Sequence, residues 1–173
     1  MVLCNSECVE KVAQYLDILP EKLEFSDKNV LFALKNEKKS PLLQGFNTII
    51  QMLATNSKCT DIFGKDKESQ ARSQQWLEYI TVCVNHMDFP LNAKRILNEL
   101  NTALIGVTYL AGIEKTIADI TLYYILHSIM KKLSHQDKAQ YVHVSRWFDN
   151  VQQEEKLRRE LDLISFDLMH IFL

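Results

Sequence analysis

The sequence predicts two packed parts, a small α/β unit followed by an all-helical bundle, assembled around one buried, capped helix. Three observations predict it. Apolar residues cover nearly the whole circumference of residues 117–133, and a helix that is apolar all round is buried. Thr116 and Asp119 stand immediately before that run with the spacing of a reciprocal N-terminal cap. The first third of the chain changes period, whereas the chain after residue 68 keeps a helical repeat.

In the first third, Val9, Val12, Ala13, Leu16 and Leu19 recur at helical spacing, with Ser6 as the expected cap and Pro20 as the stop. Leu23 and Phe25 alternate with charge, and Val30–Leu34 is a short apolar run, so short strands are expected there. Residues 35–41 read as a solvated turn. Phe46, Ile49, Ile50 and Leu53 mark a second helix. This unit, residues 1–55, holds too little core to be stable alone.

Residues 56–67 are polar, contain Gly64, and read as a linker to a helical domain over residues 68–173. Ala71, Trp76, Tyr79, Ile80, Cys83, Val84 and Met87 form one helical stripe over 68–87. Pro90 suits the first position of the next helix, which carries Ile96, Leu97, Leu100, Ala103 and Leu104. The capped helix follows. Asp119 sits at the positive end of its dipole. Ser134 and Asp137 repeat the capping-box spacing, Val144–Phe148 belongs to another helix, and the chain closes on an apolar stretch over Leu161–Leu173.

Composition removes several classes of function. Net charge is −2 and the basic residues are scattered, which gives no footprint for a phosphate backbone, so no direct nucleic-acid partner is expected. The four cysteines (Cys4, Cys8, Cys59, Cys83) have no framework spacing and read as reduced thiols. No basic segment followed by an apolar run opens the chain, and the most apolar stretch is broken by Asp119, Thr121, His127 and Ser128, so neither a leader nor a membrane partner is expected.

Catalytic constellations are sparse. Four dispersed glycines build no phosphate-cradling loop, and five dispersed histidines offer no ligand pair on one helical face. No catalytic, cofactor or metal residue is therefore assigned. His127 reads as a hydrogen-bonded core histidine, Trp76 and Trp147 as core, and Glu154-Glu155 with Arg158-Arg159 as helical i,i+4 pairs on a solvated face.

A small α/β unit followed by a bundle with Tyr109-Leu110-Ala111-Gly112 and Thr116-x-x-Asp119 resembles the glutathione transferase superfamily. Gln75-Trp76-Leu77-Glu78-Tyr79 strengthens the resemblance. The strings Leu122-Tyr123-Tyr124, Leu126-His127 and Val144-Ser145-Arg146-Trp147-Phe148 are similar to a non-enzymatic branch, the elongation factor one epsilon family of proteins that interact with the aminoacyl-tRNA synthetase complex. The similarity runs from Gln74 to Gln152. One departure is Lys115 before the cap, where the fold usually places an apolar staple and where only the lysine stem can substitute.

The resemblance implies a reduced thioredoxin-like N-terminal domain and a transferase-like helical domain. It also implies lost catalysis. Active relatives hold glutathione with an activating Tyr, Ser or Cys, a cis-proline, and a Glu/Gln-Ser pair at a helix start. Here that pair aligns with Gly45-Phe46, and the proline position falls at Ala33 or Leu34. A cis bond without proline costs about 2.5–4 kcal/mol, so that device is not expected.

A non-catalytic cytoplasmic scaffold, with a nuclear location as well, is the implied function, and heterotypic assembly is expected over a homodimer. Asn47, Ile50 and Gln51 on the Phe46–Leu53 helix are expected to meet a methionyl-tRNA synthetase domain. Arg146 is expected to meet the glutamyl-prolyl-tRNA synthetase, against the alternative that it closes an intramolecular ion pair. Two other functions stay open: a glutathione-dependent or peroxide-reducing transferase using Cys4 or Cys8, and the transferase-like domain of another elongation factor one subunit.

Overall fold

The computed structural model describes residues 3–18, 23–26, 29–32, 43–59 and 61–166. The order of elements is α1 (Ser6–Tyr15), β1 (Leu23–Ser26), β2 (Asn29–Phe32), β3 (Leu43–Gln44), α2 (Phe46–Asn56), α3 (Lys67–Val82), α4 (Pro90–Ala103), α5 (Ile117–Met130), α6 (His135–Gln140), α7 (Val142–Gln152) and α8 (Glu155–Arg158).

Helix α1 is capped one residue earlier than expected. Asn5, not Ser6, sits in extended backbone, and its side chain accepts from the Cys8 N–H at 3.0 Å. The helix also stops sooner. Asp17 adopts φ +56°, the Asp17 N–H returns to the Gln14 carbonyl, and the Ile18 N–H returns to Ala13, a Schellman closure that precedes Pro20. Pro20 and residues 35–41 lie outside the described residues. Strands β1 and β2 fall where short strands are expected, and an unexpected β3 completes an antiparallel meander ordered β1-β2-β3, with Leu23 opposite Phe32 and Leu31 opposite Gln44.

The segment over residues 56–67 is polar, yet its backbone is bound to the bundle. Ile62 is buried, and its carbonyl accepts from the Ile117 N–H at 2.7 Å. Gly64 has φ +126°, and a Cβ there would lie 2.6 Å from the Ser69 side chain, so only glycine fits the approach. Asp66 then caps α3 by accepting from the Ser69 N–H at 2.8 Å. Helix α3 ends at Val82 rather than Met87, and a 3-10 turn over Val84–His86 carries the chain to Pro90.

Helix α5 is the axis of the core. Twelve of its residues are buried, and α1, α3 and α7 pack round it. Its capping box is present. The Asp119 carboxylate does far more than close that box. One oxygen accepts from the Thr116 N–H at 2.9 Å and the Thr116 hydroxyl at 3.1 Å. The other accepts from the Leu110 N–H and from the Trp147 indole N–H, each at 2.9 Å. One side chain thus ties the α4–α5 loop, the start of α5 and helix α7 together. Burial pushes the Asp119 carboxyl above its usual range, while the four donors pull the other way.

The outer helices are fastened to this axis. His127 is buried, and its Nε2 lies 3.0 Å from the Asp162 carbonyl, the hydrogen-bonded core role expected of it. Trp147 is fully buried, whereas Trp76 is partly exposed and donates its indole N–H to the Leu110 carbonyl at 2.9 Å. Tyr141 offers no side-chain cap to α7, so Asn101 on α4 caps it across the interface, accepting from the His143 and Val144 N–H groups. Ser134 accepts from the Asp137 N–H, and its hydroxyl donates back to the Asp137 carboxylate at 2.6 Å.

The expectation of i,i+4 pairs between Glu154-Glu155 and Arg158-Arg159 is corrected. Helix α8 is too short, because Arg159 turns to φ +48°. Glu154 instead takes the Tyr15 hydroxyl at 3.0 Å and the Lys115 ammonium, while Arg158 and Arg159 donate to the carbonyls of Gln152 and Gln14. Lys115 lies 5.3 Å from the centre of the Tyr15 ring, so its stem and charge hold α1 against the entry to α5. Gln152 clamps Ile164 through both backbone groups, and Phe166 packs beside Phe148. Residues 167–173 lie outside the described residues.

Asp119→Asn is isosteric, but it turns an amide N–H₂ toward two donors and leaves buried N–H groups unpaired. It should cost about 3 kcal/mol or more, against about 1 kcal/mol for Thr116→Ala, in urea denaturation. Near-equal small effects would show that the cap alone, and not the four-donor cluster, stabilises the fold.

Candidate interaction surfaces and the former thiol pocket

Three regions follow from the sequence: the outer face of α2, the face of α7 bearing Arg146, and the cysteines with Gly45-Phe46. Helix α2 lies between α1 and α3 and packs on β2 and β3. A helix with that many neighbours buries a wide face. Phe46, Ile49, Ile50, Leu53 and Ala54 all point inward. Ile50 has no exposed surface, which corrects its place among the partner-facing residues. Asn47 and Gln51 are half-buried and bonded to each other at 3.0 Å, with Thr48 and Thr55 exposed beside them. The outer face of α2 is therefore polar.

Arg146 is exposed on α7. Its Nη2 donates to the Leu104 carbonyl at the C-cap of α4, at 2.8 Å, and to the Val107 carbonyl in the loop beyond it, at 2.7 Å. A cation there complements the helix dipole. No ion pair joins Arg146 to a carboxylate among the described residues. The guanidinium is thus pre-oriented by backbone. Val142, 55% exposed, stands one turn before it, and Ile105, 59% exposed, follows the first carbonyl it holds. A shallow groove of about 200 Å³ runs alongside, lined by Ala139, Val142, Ser145, Asp149 and Phe166. A fixed arginine with an apolar flank has the composition of an interface anchor.

The position aligned with the Glu/Gln-Ser pair offers no polar side chain. Gly45 caps α2 with φ +102° and supplies no side chain, while the Phe46 ring is buried in the core. Ala33 and Leu34 lie outside the described residues. Cys4 and Cys8 are both buried, with Cys4 Sγ on the Ile80 carbonyl at 3.7 Å and Cys8 Sγ on the Thr121 carbonyl at 4.0 Å. Burial pushes the Cys4 thiol up to about 12 and raises Cys8 as well. A reactive cysteine needs the opposite shift. Among the described residues no helix is long and apolar enough to cross a membrane, and no cluster of His, Cys, Asp and Glu is placed to hold a metal.

The spacing of Thr116 and Asp119 is visible in the sequence. Their link to Leu110 and Trp147 and the support of Arg146 by α4 are not, since each joins residues distant along the chain.

Two outcomes follow from the thiols. In the native protein at neutral pH, a thiol-specific reagent should modify exposed Cys59 quickly and Cys4 and Cys8 only on unfolding, read by peptide mass mapping. A folded-state pKa raised above the unfolded value of 9.0 gives stability that is full below pH 9 and lost as the pH rises toward the folded value. Tyr15 and Tyr123, pushed by burial from 10.0 up to about 12, act in the same direction. The urea midpoint should therefore fall steadily above about pH 9; a midpoint that holds or rises there would contradict the burial.

Comparison with known proteins agrees with this geometry. The family model described as "Nuclear-export cofactor Arc1p" matches residues 69–155, just over half of the chain. Eukaryotic translation elongation factor 1 epsilon-1 of Homo sapiens is 33% identical over 162 residues, covering 89% of this chain and 92% of that protein. The Mus musculus protein of the same name is 36% identical over 126 residues, covering 73% and 72%. A segment making up 7% of the bifunctional glutamate/proline–tRNA ligase of Mus musculus is 29% identical over 114 residues, 65% of this chain. Among solved structures, a glutathione S-transferase from Pichia kudriavzevii superposes with a TM-score of 0.69 at 19% identity, covering 90% of this chain and 89% of its own. The glutathione-transferase-like domain of elongation factor 1-gamma from Saccharomyces cerevisiae gives 0.66 at 17% identity, covering 92% and 89%. The chain belongs to the Arc1p-like family, alongside eukaryotic translation elongation factor 1 epsilon-1, and has a glutathione-transferase-like fold.

Proposed function

We propose that this chain is a non-catalytic adaptor of tRNA aminoacylation, joining the transferase-like domains of aminoacyl-tRNA synthetases into one assembly. The observation that carries the reading is family membership across nearly the full length of elongation factor 1 epsilon-1. Similarity to a segment of the glutamate/proline–tRNA ligase supports pairing between related folds. The buried thiols and the filled position at Phe46 favour surfaces over chemistry.

The proposed arrangement has two faces. Residues 1–55 form a reduced thioredoxin-like domain, joined through residues 56–67 to the helical domain 68–173. Asn47 and Gln51, without Ile50, present the polar side of α2 to methionyl-tRNA synthetase. Arg146, with Val142 and Ile105, presents the α7 face to the glutamyl-prolyl-tRNA synthetase. The assembly is heterotypic and cytoplasmic, with a nuclear location as a second site.

The test is affinity capture of the tagged chain from its own cells, followed by calorimetry with the captured synthetase domains. Arg146→Ala should weaken binding of the glutamyl-prolyl enzyme by tenfold or more, the scale of an interface hot spot, while leaving the methionyl enzyme bound. Asn47→Asp with Gln51→Glu should do the reverse. Absence of synthetases from the captured set, or glutathione turnover by the purified chain, would overturn the proposal.

A further inference from the structure

A second site shares no lining residue with Arg146's groove and lies outside both proposed docking faces. A cleft of about 730 Å³ opens where the second half of α1, one edge of α5 and the chain leaving α8 meet. That volume is in the range that holds small organic ligands. Its floor is apolar, formed by Tyr124, Leu157 and Leu161, and the Tyr124 hydroxyl is already satisfied by the Leu157 carbonyl at 2.8 Å. Its rim carries Lys11, Arg158, Arg159 and Glu160.

The cations are not equivalent. Lys11 is paired with Glu7 at 2.7 Å. Neither arginine forms a close ion pair with a carboxylate among the described residues, although the Arg159 charge helps to hold the Asp17 carboxyl low. Among the described residues, Arg158 hydrogen-bonds only the Gln152 carbonyl, at 3.3 Å, and Arg159 only the Gln14 carbonyl, at 2.5 Å. A guanidinium has five donors, so most of each fork is uncommitted. The Arg159 charge reaches the floor at Tyr124, and the Arg158 charge reaches Tyr123 in the core behind it. Arg159 opposes the burial that raises Tyr124, and Arg158 does the same for Tyr123.

The backbone at this rim is strained. Arg159 holds φ +48° and ψ −118°, a conformation that a non-glycine residue rarely adopts, and its side chain is held against α1. Lys156 fixes the same turn through Asp17 at 2.7 Å. Strain of this kind collects at ligand clamps. Arginine suits a phosphate group, because its planar fork gives two parallel charged hydrogen bonds.

We propose that this cleft binds a small organic phosphate of nucleotide size, with the phosphate on Arg158 and Arg159 and the apolar body on Tyr124, Leu157 and Leu161. Glu160 lines the same space and opposes the anion, so neutralising it strengthens binding.

The test uses the full chain with ATP as probe and inorganic pyrophosphate as the anion without an apolar body. Binding is read by calorimetry and by amide shifts in NMR. ATP should bind saturably, shift Lys11, Tyr124 and residues 157–161, and bind about tenfold more tightly than pyrophosphate. The double variant R158Q/R159Q should lose tenfold or more. E160Q, which leaves the Arg159 clamp intact, should tighten binding several-fold and so tests the site without disturbing α1. No saturable ATP binding at millimolar concentration, or unchanged affinity in both variants with unchanged thermal melts, would overturn the proposal.

Discussion

The structure depends on one buried carboxylate. Asp119 has no contact with water, and its two oxygens take four donors from three separate pieces of chain. An ionised carboxylate in such a place is costly unless its acceptor sites are filled. Filling them requires the Leu110 loop, the first turn of α5 and the Trp147 indole to arrive together. The cost of burial is thereby turned into a positional constraint, since any slip of α7 or of the α4–α5 loop would leave charge or donors unpaired in the core.

That constraint explains why the outer helices can carry function. Helix α7 is pinned on its inner side by Trp147 and capped by Asn101 from α4, so its outer side meets solvent in a fixed orientation. Arg146 is then held on carbonyls at and just beyond the end of α4 instead of moving freely. An anchor ordered in the free protein loses less side-chain entropy on binding. The α1 end is handled separately, by the Tyr15, Lys115 and Glu154 cluster and by the turn at Arg159. Phe46 fills the core, and two thiols are buried against carbonyls.

Periodic features were legible in the sequence. The apolar girth of α5 predicts its central place, Pro90 marks the start of α4, and the Thr116–Asp119 spacing marks the cap, because each depends on neighbours along the chain. Features that depend on third parties were not legible. Ile50 looks like a candidate for the surface until α1 and α3 are both placed against α2. The tandem Glu154-Glu155 and Arg158-Arg159 suggest a regular helix until Arg159 leaves it at positive φ. Polar composition over residues 56–67 conceals that Ile62 is buried and bonded to the start of α5.

The Asp119 cluster opens only when the whole domain opens, and the surfaces on α7 and α4 are fixed because of it. Native-state hydrogen exchange tests this directly. The Leu110 and Thr116 amides and the Trp147 indole N–H should exchange with the free energy of global unfolding, at the top of the range for the protein and with one shared denaturant dependence. Exchange of any of the three through a low-energy local opening, while the rest of α5 stays protected, would contradict it.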